Sequence, residues 1–131
     1  MIFTSYFSSP FARYVAVEVR YAISGSVPDW FTGQRYSKLA PKIEWWREWR
    51  DKKLSNEWFR ERYYETVLSN LDPLDIAKEV GDGAVLFCWE DPEQFCHRKL
   101  VAEWMQKSGI LVEELNKDNI RNRQAITRFG R

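Results

Sequence analysis

The feature that most constrains the fold is a short, unbroken apolar run at residues 84–89, which is followed by an acidic turn and then by a helical pattern. A strand that is buried on both faces has this composition, as in a parallel sheet covered by helices. Residues 94–107 carry apolar side chains at helical spacing, and residues 110–115 are typical of one more strand. The segment 84–115 therefore predicts a β-α-β unit with parallel strands.

The remaining sequence supplies further elements for the same kind of fold. Residues 1–7 and 14–19 are rich in apolar and β-branched side chains, and we expect a strand in each. Helical spacing marks residues 43–50 and 55–71, and Asp72-Pro73 separates the second of these from a short helix at 74–80. This order predicts a three-layer, Rossmann-like α/β domain with a mainly parallel central sheet over residues 1–115.

The charge of the chain argues against a strong general attraction to polyanions, because 20 basic residues face 19 acidic ones. Residues 116–131 form a basic C-terminal tail with five basic residues and one acidic residue, for which we expect at most weak contact with nucleic acid. The sequence has no apolar run of about 18 residues and no signal peptide, so we expect no membrane contact and a cytoplasmic location.

Reactive side chains are concentrated at the junction between the apolar strand and the following helix. Cys88 and Glu90 lie at the end of the strand, and Cys96, His97 and Arg98 lie at the start of the helix. In open α/β sheets, ligands gather beyond the carboxyl ends of strands, near the amino ends of helices. The partial positive charge of a helix start favours anions and thiolates. The sequence therefore predicts a site at this junction.

Three chemical interpretations of the junction compete. Cys96 is a candidate nucleophile with His97 or Glu90 as proton carrier. Cys88, Cys96 and His97 are candidate zinc ligands, but the paired short spacings typical of zinc are absent, so we expect no metal and no other cofactor. The third interpretation is anion binding by helix N–H groups and Arg98, with Cys88 as buried filler. The sequence leaves open whether the two cysteines pair.

The junction also resembles a known family. The pattern Leu-Phe-Cys-Trp-Glu-Asp-Pro-Glu-Gln-Phe-Cys-His-Arg at 86–98 is similar to the signature of the bacterial family called domain of unknown function 488, or DUF488. The triplet at 18–20, Leu-Ala-Pro at 39–41 and Trp-Phe-Arg-Glu-Arg-Tyr at 58–63 agree with it, although the family's common amino-terminal histidine is missing. The resemblance implies an α/β fold and no agreed activity. It implies a site made by Glu18, Arg20, Cys88, Glu90, Cys96, His97 and Arg98.

Two functions follow as hypotheses. The first is an enzyme-like site for a phosphate-bearing small molecule, a nucleotide or a nucleic-acid base. Arg20 and Arg98 would hold the anion, Cys96 or Glu90 would do the chemistry, and Trp89 would stack on the base. The alternative is a non-catalytic module that binds nucleic acid or protein, as an adaptor or inhibitor. The basic tail and the 16% aromatic content favour the module, and the near-zero net charge argues against nucleic acid as its target.

Overall fold

The computed structural model describes residues 1–120, which contain a single five-stranded parallel sheet. The strands run in the spatial order β3-β2-β4-β1-β5, and every neighbouring pair is parallel. This arrangement confirms the mainly parallel α/β fold. The strands are β1 (Ile2–Tyr6), β2 (Arg20–Ala22), β3 (Gln34–Arg35), β4 (Val85–Cys88) and β5 (Val112–Glu114).

Four α-helices cover one face of the sheet with a shared apolar core. Two of them start where local chemistry favours a start. The Ser55 side chain accepts a hydrogen bond from the Trp58 N–H at 3.1 Å, and Asp72 caps the helix that Pro73 opens. No helix in this part of the chain combines the length and apolarity needed to cross a membrane. The helices are α1 (Ile43–Asp51), α2 (Asn56–Thr66), α3 (Pro73–Val80) and α4 (His97–Gln106).

Within residues 1–120, the opposite face of the sheet is covered mostly by 3₁₀ turns and loops, together with helical residues 119–120. Alternate strand residues point to this side because successive side chains in a strand face opposite ways. Phe3, Val85 and Phe87 pack there against Val15 and Leu115. The described part of the third layer is therefore mostly irregular, and the site lies at the end of β4 on the side of the helical layer.

The strand predicted at residues 14–19 is wrong. Two 3₁₀ turns, Ala12–Tyr14 and Val17–Val19, occupy that segment, and β2 begins at Arg20. A strand between β4 and β3 must be buried on both faces. Tyr21 and Ala22 meet this condition, whereas Val17 is 49% exposed. Burial, rather than the β-branched composition of residues 14–19, decides where this strand forms, because β-propensity depends strongly on context.

The central position of β4 places its last residue at the middle of the sheet edge. β4 pairs with β1 on one side, where Cys88 is in register with Tyr6, and with β2 on the other, where Phe87 is in register with Ala22. All four residues of β4 are buried. The chain leaves the sheet after Cys88, and α4 begins after Cys96, which is its N-cap residue.

Candidate functional site

A pocket of about 470 Å³ opens beside the carboxyl end of β4. Its walls come from the loop after β2, from α1 and α2, and from the junction between β4 and α4. Its volume is in the range of small-molecule sites, which are about 300–1,000 Å³. We call it the aromatic pocket, and it is lined by Ser24, Gly25, Ser26, Pro41, Ile43, Trp46, Trp49, Phe59, Cys88, Trp89, Glu90, Phe95, Cys96 and His97.

Cys88 and Cys96 form a disulfide at the wall of this pocket. Both residues are buried by their surroundings, yet both border the pocket. Their Cα atoms lie 7.3 Å apart, which is beyond the range of about 4.4–6.8 Å that disulfides usually span. The two sulfurs are therefore placed where a ligand in the pocket would contact them. Their Cα atoms are further apart than in most disulfides.

His97 is held in one tautomer by the backbone of the neighbouring loop. Its Nε2 atom lies 2.6 Å from the carbonyl oxygen of Ile23, and since a carbonyl only accepts, Nε2 carries the proton. The unprotonated Nδ1 lies 3.9 Å from the Sγ of Cys96. Burial lowers the pKa of His97 to about 4, and the charge of Arg98 adds to this, while the hydrogen bond to Ile23 opposes it. His97 is therefore a neutral imidazole with its lone pair beside the sulfur.

Arg98 lies behind the sulfur pair and does not line the pocket. It is completely buried, and its Nε and Nη2 atoms each donate to Glu114 at 3.0 Å. The third nitrogen, Nη1, donates to the backbone oxygen of Glu90 and lies 3.7 Å from the Sγ of Cys88. A guanidinium in this position stabilises the thiolate form of a neighbouring cysteine.

Aromatic rings form much of the pocket wall, and they fix one another. The ring of Phe59 makes edge contacts with Trp49 and with Phe95, each with centroids 5.0 Å apart. The indole N–H of Trp89 donates to the carbonyl of Ser26 at 3.0 Å. The pocket is thus lined by rings held in defined orientations, which suits a flat ligand.

Comparison with known proteins decides the family. A family model described as the active DUF488-N3 subclade matches residues 11–109. The chain belongs to the DUF488 family. No curated protein and no solved structure matches the chain. The matched range contains the whole Cys-x-Glu to Cys-His-Arg junction, so the resemblance noted from that motif is confirmed.

Five of the site residues expected of this DUF488 chain lie together in the structure. Of the remaining three, Arg98 lies behind the sulfurs, and Glu18 is exposed away from the pocket lining. Arg20 donates from Nε to the carbonyl of Val15 at 2.8 Å and from Nη1 to the hydroxyl of Thr32 at 3.0 Å. The residues that share the pocket are Cys88, Trp89, Glu90, Cys96 and His97.

Sequence reasoning missed most of the aromatic wall of this DUF488 site. Trp46, Trp49, Phe59 and Phe95 line the pocket, but none was predicted as a site residue. The helical spacing of Trp46, Trp49 and Phe59 indicated buried faces without showing whether those faces meet core or cavity. The available signal was the unusual number of tryptophans, seven in 131 residues.

One set of side chains in the described part of this DUF488 chain has the composition of a metal-binding site. Cys88, Cys96 and His97 each offer one ligand atom, and these three atoms lie within 4.8 Å of one another. All three residues are buried. The same groups can serve as nucleophile and base when the sulfurs are reduced.

Proposed function

We propose that this DUF488 protein is an enzyme that binds a flat heteroaromatic ring in the aromatic pocket, such as the base of a nucleotide or of nucleic acid. The observation that carries the proposal is that aromatic rings and reactive groups line one pocket of about 470 Å³. Stacking of a base on an aromatic side chain contributes ~1–3 kcal/mol. The matching subclade is described as active, which agrees with a catalytic role.

The reactive end of the pocket consists of Cys88, Cys96 and His97. In the reduced pair, the guanidinium of Arg98 favours a thiolate at Cys88, which can attack an electrophilic atom or bind a cation. Glu90 is exposed and lines the same pocket, so it is our candidate for carrying protons to and from the ligand. Because thiolates exist only in the reduced pair, we expect activity to require a reductant.

The phosphate of a nucleotide would need a cation outside the lining. Among residues 1–120, no lysine or arginine lines the pocket, and the guanidinium of Arg98 is held by Glu114. The guanidinium of Arg50 lies 4.9 Å from the ring centroid of Trp46, which does line the pocket, and its ion pair with Asp51 is exposed and therefore weak, unlike that of buried Arg98. We therefore propose Arg50 as the phosphate contact in place of Arg98 and Arg20.

Calorimetric titration of the reduced protein tests the proposal with nucleosides, nucleotides and ribose 5-phosphate. We expect ring-bearing ligands to bind and ribose 5-phosphate to fail. Trp46→Ala should weaken binding about 5- to 150-fold, from ~1–3 kcal/mol per stacked base. The matched control is Trp30→Ala, since Trp30 is 64% exposed and lies outside the pocket lining.

A second pair of variants, a test and its control, checks the phosphate contact. Arg50→Ala should weaken nucleotides but not nucleosides. Arg62 lies 5.1 Å from the ring of Trp58 in the same kind of stacked contact, yet neither residue lines the pocket. Arg62→Ala should therefore leave both ligand classes unchanged. Equal losses in the two variants would contradict the assignment of Arg50.

Two results would overturn the proposed function. One is the absence of binding by any ring-bearing ligand to the folded, reduced protein. The other is an oligonucleotide affinity that survives Trp46→Ala but disappears, with a steep salt dependence, when residues 117–131 are removed. That second result would instead support the binding module, whose basic residues at 121–131 lie outside the described residues.

A further inference from the structure

Three side chains from two elements bring metal-ligating atoms to one place. Cys88 ends β4, while Cys96 and His97 form the start of α4, and their ligand atoms all lie within 4.8 Å. With Zn–S bonds near 2.3 Å and Zn–N bonds near 2.0–2.1 Å, tetrahedral ligand atoms are roughly 3.5–3.8 Å apart. The 3.9 Å between the Sγ of Cys96 and the Nδ1 of His97 is already close to this spacing, whereas the two sulfurs are bonded to each other and reach it only after reduction.

The imidazole of His97 has the orientation that metal-bound histidines show. Its Nε2 donates to the carbonyl of Ile23, so its Nδ1 lone pair is directed to the side of the Cys96 sulfur. Metal-ligating histidines almost always donate their other ring N–H to a carbonyl, a carboxylate or water.

The cysteine backbone and the buried charges also suit a bound cation. The Cα separation of 7.3 Å exceeds the usual disulfide range, and it leaves room for the sulfurs to move apart around an ion. Two thiolates neutralise a divalent cation, and Arg98 is neutralised by Glu114, so the group carries no net charge. Burying a group of charges that sum to zero costs far less free energy than burying a single unpaired charge.

We propose that Cys88, Cys96 and His97 of the reduced protein bind a thiophilic divalent cation, with Zn²⁺ as the first candidate, and leave a fourth coordination position facing the aromatic pocket. Two sulfurs and one imidazole select such ions over Mg²⁺ or Ca²⁺, and three protein ligands with an open position are typical of catalytic zinc. This inference rests on the proposed function in one respect only, namely the ligand ring or water that would occupy the fourth coordination position. The sequence named these three residues as candidate ligands, but the absence of paired short spacings argued against a metal; the fold, which brings residue 88 to residues 96 and 97, is what favours the site.

The experiment measures metal binding directly in the full chain. The protein is reduced with a phosphine, freed of metal with a chelator, and titrated with Zn²⁺ and then with Co²⁺, whose absorption reports thiolate and tetrahedral coordination. We expect one ion per chain with sulfur-to-cobalt charge-transfer bands. Cys88→Ser, Cys96→Ser and His97→Asn should each weaken affinity by more than about 100-fold, beyond what outer-shell partners contribute.

The oxidised protein is the matched control, because its sulfurs are bonded to each other and cannot ligate. It should bind no ion under the same conditions. The proposal is overturned if the reduced, folded protein binds no Zn²⁺ at micromolar concentration, or if Cys88→Ser keeps the wild-type cobalt spectrum. Circular dichroism of each variant separates loss of ligand from loss of fold. Nucleotide titration of metal-free protein separates the two proposals, since base binding in the pocket needs no ion.

Discussion

Nη1 of Arg98 lies 3.7 Å from the Sγ of Cys88, in the interior of the protein rather than at its surface. The corresponding neighbour of Cys96 is His97, whose imidazole is neutral because burial lowers its pKa. The two cysteines therefore differ in electrostatic surroundings although they share one pocket. A full positive charge favours the thiolate at Cys88, whereas among the contacts of residues 1–120 Cys96 has only the partial positive charge at the start of α4.

This asymmetry predicts that Cys88 is the more reactive thiol. In reduced, metal-free protein at pH 7, a limiting amount of iodoacetamide should modify Cys88 faster than Cys96, because the thiolate is the nucleophilic form. Peptide mass spectrometry separates the two sites, and the chain has no other cysteine. In denaturant the two rates should become similar. Faster labelling of Cys96 in the folded protein would contradict the assigned role of Arg98.

The same guanidinium predicts a large loss of stability when it is removed. Arg98→Ala should lower the free energy of unfolding by about 3–5 kcal/mol, because Glu114 would keep a partly buried charge without its partner. Arg60 offers a matched control, since it pairs with Glu103 at 2.9 Å while remaining 40% exposed. Arg60→Ala should cost less than about 1 kcal/mol. Urea unfolding measures both losses. Similar losses would show that the buried Arg98–Glu114 pair contributes no more stability than an exposed ion pair.

The fold near the site could be predicted because its signals are local. The apolar run of β4 and the helical spacing of α4 lie on either side of the Cys-His-Arg motif, and both elements occur where the sequence indicated them. The helices predicted at 43–50, 55–71 and 74–80 also occur, with a 3₁₀ turn at Leu68–Asn70 closing the second. Periodicity and capping residues are sufficient for such elements.

The missed features depend on contacts between distant residues. β3 has two residues, and it exists because Gln34 and Arg35 pair with β2. The burial of Arg98 depends on Glu114 in β5, sixteen residues later, which converts an expected anion contact into an internal ion pair. Neither a two-residue strand nor an ion pair across elements leaves a periodic pattern in the sequence.

The pairing of Tyr36 with Glu79 predicts a dependence of stability on alkaline pH. Burial, and then the hydrogen bond and charge of Glu79, raise the pKa of Tyr36 well above its ordinary value near 10. The folded protein then keeps this proton at a pH where the unfolded chain loses it. The free energy of unfolding should therefore fall as pH rises above about 10. Well below that pH, Tyr36 is protonated in both states, and it should not make the stability depend on pH.

Tyr36→Phe isolates this contribution, since the other buried tyrosines remain in both proteins. The variant should lose less stability than the wild type between about pH 9 and pH 11. Denaturant unfolding at a series of pH values gives the two curves. Parallel curves over this range would mean that the Tyr36 proton is held no more tightly in the fold than in the unfolded chain.

The close approach of Gly33 to β2 predicts that a single methyl group would disturb the edge of the sheet. Gly33 has φ of +146°, and a Cβ there would lie 2.7 Å from the Cβ of Arg20 and 2.8 Å from the ring of Phe31. Gly33→Ala should lower the free energy of unfolding by about 1–3 kcal/mol through this overlap and the unfavourable φ. Gly25→Ala is the matched control, because a methyl group at Gly25 would meet no atom within 4 Å beyond its chain neighbours, and it should change stability by less than about 0.5 kcal/mol. Equal stabilities of the two variants in urea would show that β3 does not need the close contact with Arg20.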